Sequence, residues 1–115
     1  MDNNIKQKSR ALAAKLIQLQ KQLSARKMDT IISEKLLSSG AEAGAELSKA
    51  EYALGKNDLI TKTYKSLQDC AEAKYWLELL NDSKYLTEFE FNDILKDLNE
   101  MGKLLIAYTK TLRTG

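Results

Sequence analysis

The chain has 115 residues, 43% hydrophobic and 30% charged, with a formal net charge of +2. That length supplies one domain with one core, and no apolar run approaches the roughly 20 residues needed to span a bilayer. It contains no histidine and one cysteine, Cys70, which excludes His-based metal sites, Ser-His and Cys-His nucleophilic pairs, and an intrachain disulfide.

The first predicted helix runs from about Asn4 to Arg26. Ile5, Leu12, Leu16, Leu19 and Leu23 form one stripe at alternating three- and four-residue spacing, with Ser9 its only polar member. Lys6, Lys8, Arg10, Lys15 and Lys21 fall on the other faces. Residues 1–35 carry eight Lys/Arg against three Asp/Glu (8 − 3 = +5), and residues 36–115 carry ten against thirteen (10 − 13 = −3). Such an excess marks either a face for an anionic partner or a lysine-rich solvated helix. The opening Met1-Asp2-Asn3-Asn4 lacks the basic-then-apolar order of a secretory leader, so the expected location is cytoplasmic.

The second helix is predicted from Asp29 or Thr30, either of which suits an N-cap, to about Leu54. Its stripe is Ile32, Leu36, Ala43, Leu47, Ala50 and Leu54, and Gly55 follows where a left-handed stop is expected. Gly40 and Gly44 lie one turn apart inside it. Glycine costs roughly 1 kcal/mol in a helix interior relative to alanine, so something packs close to this backbone.

Asn57 or Asp58 caps the third predicted helix, which ends near Asn81. It carries two apolar rows: Ile60, Tyr64, Leu67 and Ala71, and then Leu59, Cys70, Ala73, Leu77 and Leu80. One row suits the core and the other a second subunit. Tyr75 and Trp76 are adjacent and point about 100° apart on a helix, so both cannot face the core. In the fourth helix Thr87 and Glu90 form a capping box and Leu86 with Phe91 a hydrophobic staple. Phe91, Ile94, Leu98, Met101, Leu105, Tyr108 and Leu112 then fill successive heptad core positions up to about Arg113. Four helices joined by short turns predict an all-α, antiparallel up-down-up-down four-helix bundle.

Chemistry-bearing candidates are few. Glu42 and Glu46, one turn apart, suit a salt bridge better than a metal, and Cys70 reads as a small buried side chain. No catalytic residue, cofactor or metal is expected. Lys6, Lys8, Arg10, Lys15 and Lys21 are the candidate nucleic-acid contacts, able to track a phosphate backbone. Leu59, Tyr75, Trp76, Gly40 and Gly44 are the candidate oligomer contacts.

Ser39-Gly40, Gly44-Ala45 and Ala50, then Lys56-Asn57-Asp58-Leu59, then Asp69 through Leu80 and Tyr85-Leu86 carry a resemblance. The chain resembles the four-helix-bundle proteins encoded within intervening sequences of large-subunit ribosomal RNA genes. The likeness covers most of the chain, with motif-level detail over about half of it. It implies a non-enzymatic homo-oligomer, commonly a ring of five bundles. The accessory protein of diversity-generating retroelements is similar and implies nucleic acid (RNA or DNA) and a reverse transcriptase as partners. Two departures stand out. Ala41-Glu42 stand where the family usually carries a Thr/Ser pair, and Glu46-Leu47 where it carries Asn and an aliphatic residue. This exchange of neutral hydrogen-bonding groups for two carboxylates makes the strip less suited to RNA or DNA. The alternative expectation is a protein-interaction scaffold without intrinsic nucleic-acid affinity.

Overall fold

The computed structural model describes residues 3–115; Met1 and Asp2, part of the N-terminal stretch compared above with a leader, lie outside them. Four helices follow one another: α1 (Asn3–Ala25), α2 (Ile31–Ala50), α3 (Lys56–Asp82) and α4 (Glu88–Thr114). The connections, residues 26–30, 51–55 and 83–87, are five residues each, so sequential helices pack antiparallel. α1 also packs on α4, which closes an up-down-up-down four-helix bundle of 47 × 20 × 20 Å.

The predicted α1 stripe is buried in full: Ile5, Ser9, Leu12, Leu16, Leu19 and Leu23 are each at most 4% exposed. On α4 the predicted seam places Ile94, Leu98, Met101 and Leu105 in the core, with Phe91 and Tyr108 half-buried against it. Burying a leucine or isoleucine side chain contributes roughly 1.5–3 kcal/mol, and these two helices supply most of the large ones. α2 contributes Leu36, Ala43, Leu47 and Ala50.

α3 departs from its expected rows. Cys70, Ala73, Leu77 and Leu80 are buried, but Leu59 is only half-buried, and the row's missing core members are Thr63 and Ser66. Both are tolerated because their hydroxyls donate to carbonyls, Thr63 to Leu59 at 2.8 Å and Ser66 to Ala43 of α2 at 2.8 Å. The second row, Ile60, Tyr64, Leu67 and Ala71, stays at the surface, half-buried or exposed.

Two ends differ from expectation in their physical cause. α2 stops at Ala50, so Leu54 is 97% exposed and belongs to no stripe. Gly55 is not a left-handed stop: its φ of 160° is extended, and it serves as the N-cap of α3. Asp58 is therefore not the cap but a first-turn residue, whose carboxylate accepts the N–H of Leu54 in the preceding connection at 3.0 Å and pairs with Lys62 at 2.6 Å. Asn57 lies within the helix.

The other two corners share one design. Thr30 caps α2 and Thr87 caps α4, each in a reciprocal capping box, with Ser33 and Glu90 respectively. The helices before them end on Lys27 (φ 58°) and Lys84 (φ 64°), both left-handed. Met28 N–H donates to Leu23 O and Lys27 N–H to Ser24 O; Tyr85 and Lys84 repeat this with Leu80 and Asn81. These are paired Schellman motifs, with Met28 and Tyr85 packed on the core below. Arg26 ties the corners together through Glu90 Oε2 at 2.9 Å and the Tyr85 carbonyl at 3.1 Å.

Candidate nucleic-acid interface

The five cations expected to meet a phosphate backbone all lie outside the core on α1, but in two states. Three are already paired. Lys6 pairs with Glu51, Lys8 with Glu100 of α4 at 3.3 Å, and Lys15 with both Asp93 at 2.9 Å and Asp97 at 2.8 Å. The hydrogen bonds that Lys15 donates to Asp97 and Asp93 raise its pKa. Arg10 and Lys21 are exposed and have no ion-pair partner among the described residues. Two of the five, Lys8 and Lys15, thus help close the seam to α4. Ion pairs this exposed contribute roughly 0–1 kcal/mol each, so an incoming phosphate can compete for the lysines.

The five expected oligomer contacts divide likewise. Gly40 and Gly44 explain themselves within the chain: they face α1. A Cβ on Gly40 would lie 2.1 Å from Leu16 Cδ1, and one on Gly44 would lie 3.5 Å from Ser9 Oγ. Glycine at position 40 is what lets α2 cross α1 so closely. Tyr75 is 57% exposed, while Trp76 is half-buried on the core. Their rings meet edge to face at 4.8 Å. Trp76 Nε1 donates to Glu72 at 3.0 Å, and Lys35 sits 5.4 Å from its ring. Of these five, with Leu59 half-buried, Tyr75 leaves the most aromatic surface open.

Glu42 and Glu46 enter a charged seam between α2 and α3. Glu46 is 5% exposed and accepts from Lys49 at 3.1 Å, with Lys65 at 3.9 Å. Burial pushes its carboxyl up, but the lysines outweigh burial and hold it below the ordinary range. Asp69 goes the other way. Burial raises its pKa against the pull of Lys65, and Glu42, Glu46 and Glu72 reinforce the rise; its Oδ2 has no hydrogen-bond partner. Lys49 and Lys65 hold Glu46, and no group of three or more His, Cys, Asp or Glu suited to a metal occurs among the described residues. Burial pushes the Cys70 thiol up to about 12, so it stays protonated and unreactive.

Several cations without an ion pair among the described residues were not among the expected contacts, including Lys74 on α3 and Lys96, Lys103, Lys110 and Arg113 on α4. One signal for those of α4 is present in the sequence. After Glu100 the chain contains no acidic residue, while it contains Lys103, Lys110 and Arg113. No helix of the described residues is long and apolar enough to cross a membrane.

No curated protein matches the chain. A solved structure from Bacteroides thetaiotaomicron, a protein of unknown function from the S23 ribosomal protein family, is similar at 36% identity and TM-score 0.91, over 95% of this chain and 97% of that one. The family described as 23S rRNA-intervening sequence protein matches residues 1–107. With both the bundle and the sequence match in hand, the chain belongs to the 23S rRNA-intervening sequence protein family.

Proposed function

We propose that this protein is a non-enzymatic homo-oligomer that binds nucleic acid, RNA or an RNA-containing complex, through a basic surface. The observation that carries the reading is the sorting of its charges. Carboxylates are drawn into seams between helices, at Glu42, Glu46, Asp69, Asp93 and Asp97, while unpaired cations such as Arg10 and Lys21 remain on outer faces. Unpaired surface cations are free to release counterions on meeting phosphates. The exposed aromatic and apolar side chains of α3, Tyr64 and Tyr75, support self-association.

Solution mass by light scattering, with and without a short structured RNA, tests the reading at low and physiological salt. A particle larger than one chain that gains mass with RNA, and loses it as salt rises, is the expected result. A particle that ignores RNA at low salt refutes it. The pairing of Lys6, Lys8 and Lys15 favours one alternative, a scaffold that docks a protein such as a reverse transcriptase and needs no nucleic-acid affinity. A stable partner that co-purifies unchanged after nuclease treatment would support that alternative.

A further inference from the structure

The cations of α4 form a pattern that those of α1 do not. Lys96, Asn99, Lys103, Ile106, Lys110 and Arg113 recur at alternating three- and four-residue spacing, which places them on one stripe of the helix. All six are exposed, and none of the four cations has an ion-pair partner among the described residues. The acidic residues of α4 lie elsewhere: Asp93, Asp97 and Glu100 turn toward α1 and are held by Lys8 and Lys15.

α3 adds to this face. A groove between α3 and α4 is lined by Leu67, Ala71 and Lys74 on one side and Asn99, Gly102 and Lys103 on the other. Gly102 leaves its floor open, since a Cβ there would meet nothing within 4 Å. Unlike Gly40, it makes no close approach to a neighbouring helix. The carboxylates of α3 at this level, Asp69 and Glu72, belong to the opposite seam with Glu42 and Glu46. The carboxylates of the α2–α3 seam are paired there with Lys49 and Lys65. On the α3–α4 face Glu78 and Asp82 lie toward Phe91, and after Glu100 the charged residues of the α4 stripe are cations alone.

We infer that nucleic acid is held on the α3–α4 face, by Lys74, Lys103, Lys110 and Arg113, and that the α1 lysines contribute less. The inference rests on the nucleic-acid reading above and names its site. From Lys103 to Arg113 the helix rises about 15 Å at 1.5 Å per residue, and one strand of a duplex presents a phosphate about every 3.4 Å along its axis. A straight row of unpaired cations over that length fits a regularly charged, linear backbone. An anionic membrane surface would call for flanking apolar side chains on the same stripe, and Ile106 is the one it has.

The test compares two charge-reversal variants with the unaltered protein, using a short RNA duplex and titrating salt. One variant is Lys103→Glu, Lys110→Glu and Arg113→Glu; the other is Arg10→Glu and Lys21→Glu. Solution mass and thermal melting of each confirm that fold and assembly are retained; a variant that fails this check is replaced by the matching Gln substitutions. The expected result is at least a tenfold loss of affinity in the α4 variant, with the slope of log K against log salt reduced by about 3 (three contacts at about 0.9 each). The α1 variant is expected to lose less. Binding by the α4 variant equal to that of the unaltered protein overturns the inference and leaves the nucleic-acid reading standing. No binding by the unaltered protein at low salt overturns both. Equal or tighter binding to phosphatidylserine vesicles, lost in the α4 variant, overturns the inference in favour of a membrane surface.

Discussion

Three glycines sit inside helices of this bundle in three different surroundings, which makes Gly→Ala a controlled experiment within one protein. Alanine gains about 1 kcal/mol over glycine in a helix interior wherever its methyl is accommodated. At Gly102 the methyl enters open space, so Gly102→Ala is expected to stabilise by about that amount. At Gly44 it makes ordinary contact with Ser9 Oγ at 3.5 Å, and a gain of about 0.5–1 kcal/mol is expected. At Gly40 it would stand 2.1 Å from Leu16 Cδ1, and Leu16 is only 1% exposed, hemmed in by the core. Forcing an extra methyl into a packed core costs about 1–3 kcal/mol. Against the propensity gain, Gly40→Ala should therefore come out between neutral and about 2 kcal/mol destabilising. Urea unfolding at one fixed protein concentration reads the differences; with a slope of about 1–3 kcal/mol per molar, 1 kcal/mol moves the midpoint by roughly 0.3–1 M. If Gly40→Ala stabilises as much as Gly102→Ala, the close crossing of α1 and α2 is not what requires glycine at 40.

Lys27→Gly and Lys84→Gly are each expected to raise stability by about 0.5–1 kcal/mol, because glycine enters the left-handed region without the Cβ penalty that both lysines bear; unchanged or lower melting temperatures would contradict this. Thr87→Ala removes the acceptor for Glu90 N–H and should cost about 1 kcal/mol in urea unfolding. The Glu90 carboxyl is held low by the hydrogen bond from Arg26, so its contribution is present above the unfolded carboxylate pKa of about 4.3 and lost as pH falls through the lower folded value. The stability deficit of Glu90→Gln should accordingly shrink on acidification. Asp69 carries the opposite sign: its raised pKa means that folding binds the proton, and stability declines as pH rises from about 3.9 through the folded value. Asp69→Asn should therefore gain on the unaltered protein between about pH 4 and pH 7, and a constant difference across that range would refute the assignment.

Much of the bundle was legible because its signals were local. The leucine stripe of α1 and the heptad positions of α4 are periodicities, and Thr87 with Glu90 is a short-range box; each is decided within a few residues. What was not legible depended on distant partners. Thr63 and Ser66 read as polar, and only the carbonyls of Leu59 and Ala43 make them core residues. Gly55 read as a helix stop because nothing in its neighbourhood reveals that α2 has already ended at Ala50. The same limit applied to the candidate site. Lys8 and Lys15 look as free in the sequence as Arg10, and Glu100, Asp93 and Asp97, about 80–90 residues on, are what separates them. The acid-free run after Glu100 was visible, but its weight emerged only once Lys6, Lys8 and Lys15 of α1 were seen to be paired.

Of the four helix–helix seams, three join elements separated by five residues, and only α1 with α4 brings together segments far apart in the chain. Loop-closure entropy therefore falls almost wholly on one event. That event is the one guided by opposite charges, Lys8 and Lys15 on α1 meeting Glu100, Asp93 and Asp97 on α4. Local antiparallel pairing of sequential helices with a single long-range docking is a topology expected to fold fast. Salt screens charges at a distance before contact, so raising ionic strength slows that docking step more than it weakens the finished bundle.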